Sequence, residues 1–168
     1  MKRLLMDSVG MWLVLALFAG QVMAQTPFRD FDGKPRAIAE YAGDGKWLVV
    51  KIWAHGCHVC NMEAENYAYF HEKHQDADAR VLGISMDGVA ELAEARAYVE
   101  RHDLTFPNLI GEPGAVMQHY VELTGQNFLG TPTILLYDPS GKLVAAQAGA
   151  VPTEVIERFM ASHAASGG

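Results

Sequence analysis

The feature that most constrains this chain is a pair of cysteines, Cys57 and Cys60, placed where an apolar segment meets a helical pattern. Residues 47–53 (WLVVKIW) form a short apolar run of the kind that predicts a buried strand. A helix is predicted from about residue 57 to residue 74. Because the first turn of a helix has unpaired N–H groups and the positive end of the dipole, it favours a thiolate. The pattern therefore predicts a small disulfide that opens and closes reversibly.

The amino-terminal segment has the pattern of an export signal. Lys2 and Arg3 precede a nearly unbroken apolar run at residues 9–20, and residues 22–24 (VMA) suit a cleavage site. The sequence predicts a cleaved signal peptide at residues 1–24, one domain at residues 25–168 and a periplasmic location. An uncleaved membrane anchor and a cytosolic protein are the alternatives.

Composition excludes several classes of function. The chain has 13 Lys and Arg against 20 Asp and Glu and no basic run, which argues against nucleic acid and anionic membranes as partners. Its 2 cysteines are too few for a disulfide scaffold, and a domain of this size can bury a normal core. A static disulfide is the alternative, but so small a ring removes little chain entropy. We therefore expect the cysteines to react.

Strands and helices are predicted to alternate along the domain. A polar lead-in at residues 26–47 contains one short strand. Strands are expected at residues 47–53, 80–86, 133–137 and 142–148, helices at 57–74, 89–102, 114–123 and 152–161, and a short extended piece at 104–107. The last five residues are expected to be frayed. This order predicts an α/β sandwich with strands of mixed direction.

Several short motifs occur in a telling order. They are residues 30–35 (DFDGKP), 53–54 (WA), the cysteine pair, 84–87 (ISMD), 104–107 (LTFP), 130–133 (GTPT) and 138–142 (DPSGK). Over residues 28–160 the chain resembles exported thiol–disulfide oxidoreductases of the TlpA/ResA type. The resemblance implies a thioredoxin-like fold, a mixed central sheet flanked by helices, with an N-terminal lead-in and a central insertion. The chain departs from the family pattern at Gly56, at the dipeptide 58–59 and at Glu65.

The two cysteines have distinct expected roles. Cys57, nearest the helix N-terminus and more exposed, attacks a substrate disulfide, and Cys60 resolves the mixed disulfide. On the helix, Glu63 falls on the same stripe as Cys60, whereas Asn61 and Glu65 point away from it. Burial of this carboxylate would favour its protonated form, so that it could take the proton from Cys60. The alternative is a partly solvated glutamate without a role.

Five further residues are expected at or near the site. The resemblance makes Pro132 a cis-proline whose loop lies against the cysteines, where the backbone of Thr131 can pair with an extended peptide. An ordinary trans proline that opens a strand is the alternative. His58 adds positive charge beside Cys57 or is a solvated loop residue, and His55 could add to the same field. Trp53 is expected to pack beneath the turn and to shape the substrate site.

The predicted function is that of a periplasmic thiol–disulfide oxidoreductase, acting as a reductase of cysteines in exported proteins such as apocytochrome c. The resemblance implies a membrane thiol reductase of the DsbD/CcdA kind as electron donor. We expect no cofactor and no resident metal, and a monomer. His58 favours a disulfide-forming oxidase or isomerase as the rival. From another class, a copper or zinc carrier could use Cys57, Cys60 and His55 or His58, and a structural adaptor is a weaker alternative.

Overall fold

The computed structural model describes residues 26–166, with side chains to residue 163. The predicted signal peptide lies outside the described residues. Within them, seven strands form one sheet and four α-helices pack on it. In this part of the chain, no helix has the length and apolar character needed to cross a bilayer.

The strands and helices follow one another with short connections. The strands are β1 (Phe28–Asp30), β2 (Pro35–Arg36), β3 (Trp47–Trp53), β4 (Ala79–Ser85), β5 (Asn108–Gly111), β6 (Thr133–Tyr137) and β7 (Leu143–Ala148). The helices are α1 (His58–His74), α2 (Leu92–Arg101), α3 (Pro113–Thr124) and α4 (Thr153–Ser166). Short 3-10 turns lie at Ile38–Glu40 and Val89–Glu91.

The sheet is mixed, as the sequence predicts. Its strand order is β2-β1-β5-β4-β3-β6-β7. β3, β4 and β5 run parallel, whereas β6 is antiparallel to β3, and β1 is antiparallel to β5. All seven residues of β3 are buried, because the strand is central in the sheet and covered on both faces. The thioredoxin-like fold class predicted from the sequence is confirmed.

Alternating residues of the central strands supply two core layers. Leu48, Val50 and Ile52 face a cluster that contains Val116 and Tyr120 of α3. Val49 and its neighbours face the opposite cluster, which is formed with residues of α1 and α4 (Tyr67, Ala68, Phe70, Ile156, Met160). A third cluster joins Trp53, Cys60 and Ala64 to α2 and supports the start of α1. The cysteine pair therefore stands on a closely packed base.

Three sequence-based expectations need correction. Residues 104–107 are not a strand; the strand is Asn108–Gly111, which pairs with β1 and β4. The lead-in has two short strands, β1 and β2, rather than one. The last helix continues to Ser166 instead of ending near residue 161. β5 and the lead-in strands owe their conformation to pairing with distant strands, which local propensity does not report.

Candidate active site

Cys57 and Cys60 lie at the N-terminus of α1 and form a disulfide with a Cα–Cα distance of 5.2 Å. Cys57 is the N-cap residue, and its Sγ accepts a hydrogen bond from the backbone N–H of Cys60 at 3.1 Å. Cys60 is 0% exposed, whereas Cys57 is partly exposed. An attacking thiol must reach its substrate and a resolving thiol need not, so this difference matches the roles expected of the two cysteines.

The turn before the disulfide is held by a side chain that the sequence reasoning placed on the outer face of the helix. Asn61 donates its amide to the carbonyl oxygens of His55, at 3.0 Å, and Cys57, at 2.9 Å. Its Oδ1 lies 2.9 Å from Nε2 of His102 at the end of α2. Asn61 therefore ties the reactive turn to α1 and α2. Helical periodicity could not reveal this role, because the partners lie outside the helix.

His55 and His58 have different surroundings. The Nδ1 atom of His55 lies 2.9 Å from Oδ1 of Asp87, which follows β4. His58 is the first residue of α1, directly after Cys57, and is exposed.

Trp53 closes the floor of the site. Its side chain is 1% exposed and stacks on Tyr98 with a ring-centroid distance of 4.2 Å. Its Nε1 donates to Oδ1 of Asn108 at 3.1 Å, and the Tyr98 hydroxyl donates to the Cys60 carbonyl at 2.7 Å. Trp53 therefore packs beneath the turn as expected. Because the ring is buried, it supports the turn from below, and its expected role in shaping the substrate site stays a prediction.

Glu63 lies one turn after Cys60, with 13% of its side chain exposed. Its Oε2 atom pairs with Nζ of Lys51 at 3.2 Å, and its Oε1 atom accepts the backbone N–H of Val151 at 3.1 Å. Tyr67 completes the arrangement, since its hydroxyl donates to the Val151 carbonyl at 2.7 Å and its ring lies 4.0 Å from Lys51 Nζ. The carboxylate therefore belongs to a polar network that joins β3, α1 and the segment before α4.

Lys51 is the site residue that sequence reasoning missed. Burial lowers its pKa to about 8, against the opposing effect of Glu63, which favours the charged form. The signal was present, because a lone lysine inside an apolar strand is rarely buried without a partner. Its partner could have been sought among the acids of α1.

The Thr131–Pro132 loop lies at the carboxyl end of β3, the end from which the chain leads to the cysteines. The peptide bond between Thr131 and Pro132 is cis. Ile52 pairs with Thr133 in the antiparallel ladder, so Trp53, at the end of β3, lies beside Pro132. The Pro132 carbonyl accepts the N–H of Gly149 at 2.8 Å. Val151, two residues after Gly149, donates its N–H to Glu63. The segment at residues 149–151 therefore hydrogen-bonds both to the cis-proline loop and to Glu63.

Comparisons with known proteins fit this arrangement. A curated relative named thiol-disulfide oxidoreductase ResA, from Halalkalibacterium halodurans, is 22% identical over 142 residues, covering 84% of this chain and 75% of the relative.

Two solved structures share the fold. The thioredoxin domain of a Bacteroides vulgatus thiol-disulfide oxidoreductase has a TM-score of 0.62 at 23% identity, covering 82% of this chain and 96% of that one. A secreted Mycobacterium tuberculosis disulfide oxidoreductase has a TM-score of 0.61 at 21% identity, with the same two coverages. These names belong to the class of protein that the cysteine pair predicts. The model of the AhpC/TSA family matches residues 12–146, and the chain therefore belongs to that family.

Proposed function

We propose that this protein is a thiol–disulfide oxidoreductase that reduces disulfides in exported proteins. The observation that carries the proposal is the unequal exposure of two bonded sulfurs at a helix N-terminus, with Cys57 accessible and Cys60 at 0% exposure. A structural cross-link has no need of this asymmetry. An exchange reaction does, because one sulfur must meet the substrate while the other waits.

The reaction proceeds in two exchanges. The Cys57 thiolate attacks one sulfur of a substrate disulfide, forming a mixed disulfide and releasing the other substrate sulfur as a thiolate. Cys60 then loses its proton to Glu63 and attacks the Sγ atom of Cys57. This second step releases the remaining substrate sulfur as a thiolate, which takes a proton from water, and leaves the Cys57–Cys60 disulfide. Two electrons have then passed to the substrate.

Protein clients suit the surface around the cysteines. Val59 and Met62 are exposed on the first turns of α1 by 38% and 69%, and Leu129, just before the cis-proline loop, is exposed by 81%. Exposed apolar side chains of this kind favour contact with a polypeptide. The Thr131 backbone would pair with an extended client segment.

Export and the electron donor are parts of the same proposal. The apolar run at residues 9–20 supports a cleaved signal or an anchor, and the Mycobacterium tuberculosis structure is described as secreted. A membrane thiol reductase of the DsbD/CcdA kind would return electrons to the pair, and apocytochrome c is one candidate client. We also propose that residues 25–168 form the mature domain and that this domain is a monomer.

The reduction potential decides between a reductase and the rival oxidase. We expect equilibration with glutathione, read by thiol trapping, to give a potential near that of thioredoxin, about −270 mV. A potential near about −120 mV, as in DsbA, would contradict the reductase assignment. It would instead make this an oxidase tuned by the exposed His58. Within the described residues, no group of three or more His, Cys, Asp or Glu side chains is arranged to hold a metal ion.

The role of Glu63 has its own test. In Glu63→Gln, resolution of a preformed mixed disulfide by Cys60 should slow by about tenfold or more, because the proton acceptor is lost. Glu65→Gln is the matched control, since Glu65 is exposed on the same helix. Rates measured by quenched-flow mass spectrometry should be unchanged in the control. Equal rates in both variants would remove Glu63 from the mechanism.

A further inference from the structure

A histidine–aspartate pair stands beside the attacking cysteine and has no part in the reaction described above. Nδ1 of His55 lies 2.9 Å from Oδ1 of Asp87. The backbone N–H of His55 also donates to the Asp87 carboxylate, at 3.0 Å to Oδ2. The Ser85 hydroxyl donates to the same Oδ2 atom at 2.6 Å. The pair is thus built into the loop that leads to the disulfide.

Asp87 fixes the orientation of the imidazole ring. Its side chain is only 6% exposed, and its oxygens contact the backbone N–H and Nδ1 of His55 and the hydroxyl of Ser85. An acceptor at this position holds a proton of His55 on Nδ1 and fixes the orientation of the ring. The Nε2 atom is then the nitrogen left to exchange protons with a substrate.

The His55 side chain is accessible and belongs to the same turn as the reacting cysteine. The Cys57 N–H donates to the Ala54 carbonyl at 3.1 Å, so His55 and Cys57 belong to one tight turn. Two residues apart, their Cα atoms are separated by at most about 7 Å. The His55 side chain is 36% exposed.

We infer that His55 is the general acid for the first exchange, an inference that rests on the proposed function. As the Cys57 thiolate bonds to one substrate sulfur, the S–S bond of the substrate breaks and its electron pair stays on the other sulfur. That departing thiolate takes the Nε2 proton of the His55 imidazolium and leaves as a thiol. The neutral ring regains a proton from water, and Asp87 acts as its positioning residue.

Several titratable groups lie in the turn and in the elements around this ring. They are Asp87 after β4, Cys57 and Cys60 at the start of α1, the adjacent His58, and His102 of the α2 end, which reaches the turn through Asn61. Asp87 is the anion in direct contact with it. The test therefore varies the basicity of the departing thiol. The charges around the ring stay the same when one disulfide substrate is exchanged for the other.

The experiment compares two disulfides as oxidants of the reduced full-length protein at pH 7. Oxidised glutathione releases a basic alkyl thiolate, whereas 5,5′-dithiobis(2-nitrobenzoate) releases an aromatic thiolate that needs no proton. Both are anionic, so a lost electrostatic attraction would slow both. In His55→Asn, the new amide can still donate to Asp87, but Nε2 is gone.

We expect His55→Asn to slow the reaction with oxidised glutathione by at least about tenfold and to leave that with the aromatic disulfide within about twofold. Asp87→Asn should show the same selectivity, because the ring then loses its orientation. His74→Asn, which alters the other histidine–aspartate pair at the far end of α1, should react like the wild type.

Two results would overturn the inference. An equal loss with both disulfides would mean that His55 acts on the Cys57 thiolate or on the turn, and no loss with either would mean that the ring is idle. A wild-type protein inert toward both disulfides would instead overturn the proposed function itself, and this inference with it. Melting temperatures of the variants separate either result from simple unfolding.

Discussion

Lys51 carries its ammonium group into the interior, with 2% of the side chain exposed, between the Glu63 carboxylate and the Tyr67 ring. An isolated charge at such a depth would be strongly unfavourable, and pairing with Glu63 offsets part of that cost. The proposed proton acceptor is thereby held in one place by a cation. The reactivity of Cys60 then depends on a residue of β3 as well as on its own helix.

This dependence predicts a non-additive double-mutant cycle. Lys51→Met and Glu63→Leu should each lower the free energy of unfolding by about 2–4 kcal/mol, because each leaves one buried charge without its partner. The double variant should lose much less than the sum. Urea unfolding of the four oxidised proteins checks this, and strictly additive losses would show that the two groups do not interact.

His71 makes the stability of the protein depend on pH. It is buried, and its Nδ1 atom accepts the backbone N–H of Val81 at 3.1 Å, which only the neutral ring can do. Burial lowers the pKa of His71 below its usual range. The unfolded chain therefore binds a proton that the folded protein resists, and the stabilising contribution is lost as the pH falls below about 6.5.

We predict that the wild type loses stability more steeply than His71→Asn between pH 7 and pH 5. The asparagine can accept the same N–H but does not titrate, so the difference in slope should approach one proton. Urea unfolding of the oxidised proteins at several pH values measures it. Parallel curves would show that His71 is not the titrating group.

At the level of strands and helices, the Asn108 side chain of β5 packs over β4 beside Trp53 only because residue 83 is a glycine. A Cβ atom there would lie 1.9 Å from Oδ1 of Asn108 and 2.9 Å from Nε1 of Trp53. The same Asn108 accepts the Trp53 indole N–H and donates to the Phe106 carbonyl at 2.9 Å. The floor of the active site therefore depends on this contact between strands.

Gly83→Ala should lower the free energy of unfolding by about 2–4 kcal/mol, because Asn108 must move and release Trp53. Gly114→Ala in α3 is the control, since a Cβ atom there meets nothing within 4 Å. That change should be neutral or stabilising by up to about 1 kcal/mol. Thermal unfolding of both variants decides it, and a neutral Gly83→Ala would refute the tight packing.

For the whole molecule, local sequence patterns predicted the strands and helices whose burial leaves a regular apolar pattern. The continuous apolar run of β3 and the apolar stripe of α1 are visible in the sequence, because these are the side chains that each element buries in the core. The strand β5 is not, since its four residues become a strand only between β1 and β4. Three contacts at the site join residues from separate elements. They are the hydrogen bonds of Asn61 to the turn and to His102, the Lys51–Glu63 pair and the His55–Asp87 pair. Such pairings depend on tertiary proximity, which residue spacing does not contain.

The central claim is that Cys57 attacks and Cys60 resolves, and trapping of the mixed disulfide tests it most directly. Reduced Cys60→Ser and Cys57→Ser proteins would each be mixed with a disulfide-bonded peptide and examined by intact-mass spectrometry. We predict that Cys60→Ser accumulates one covalent peptide adduct per chain, whereas Cys57→Ser, whose remaining sulfur is buried, forms almost none. Equal adducts on both variants, or an adduct confined to Cys57→Ser, would contradict this assignment of roles.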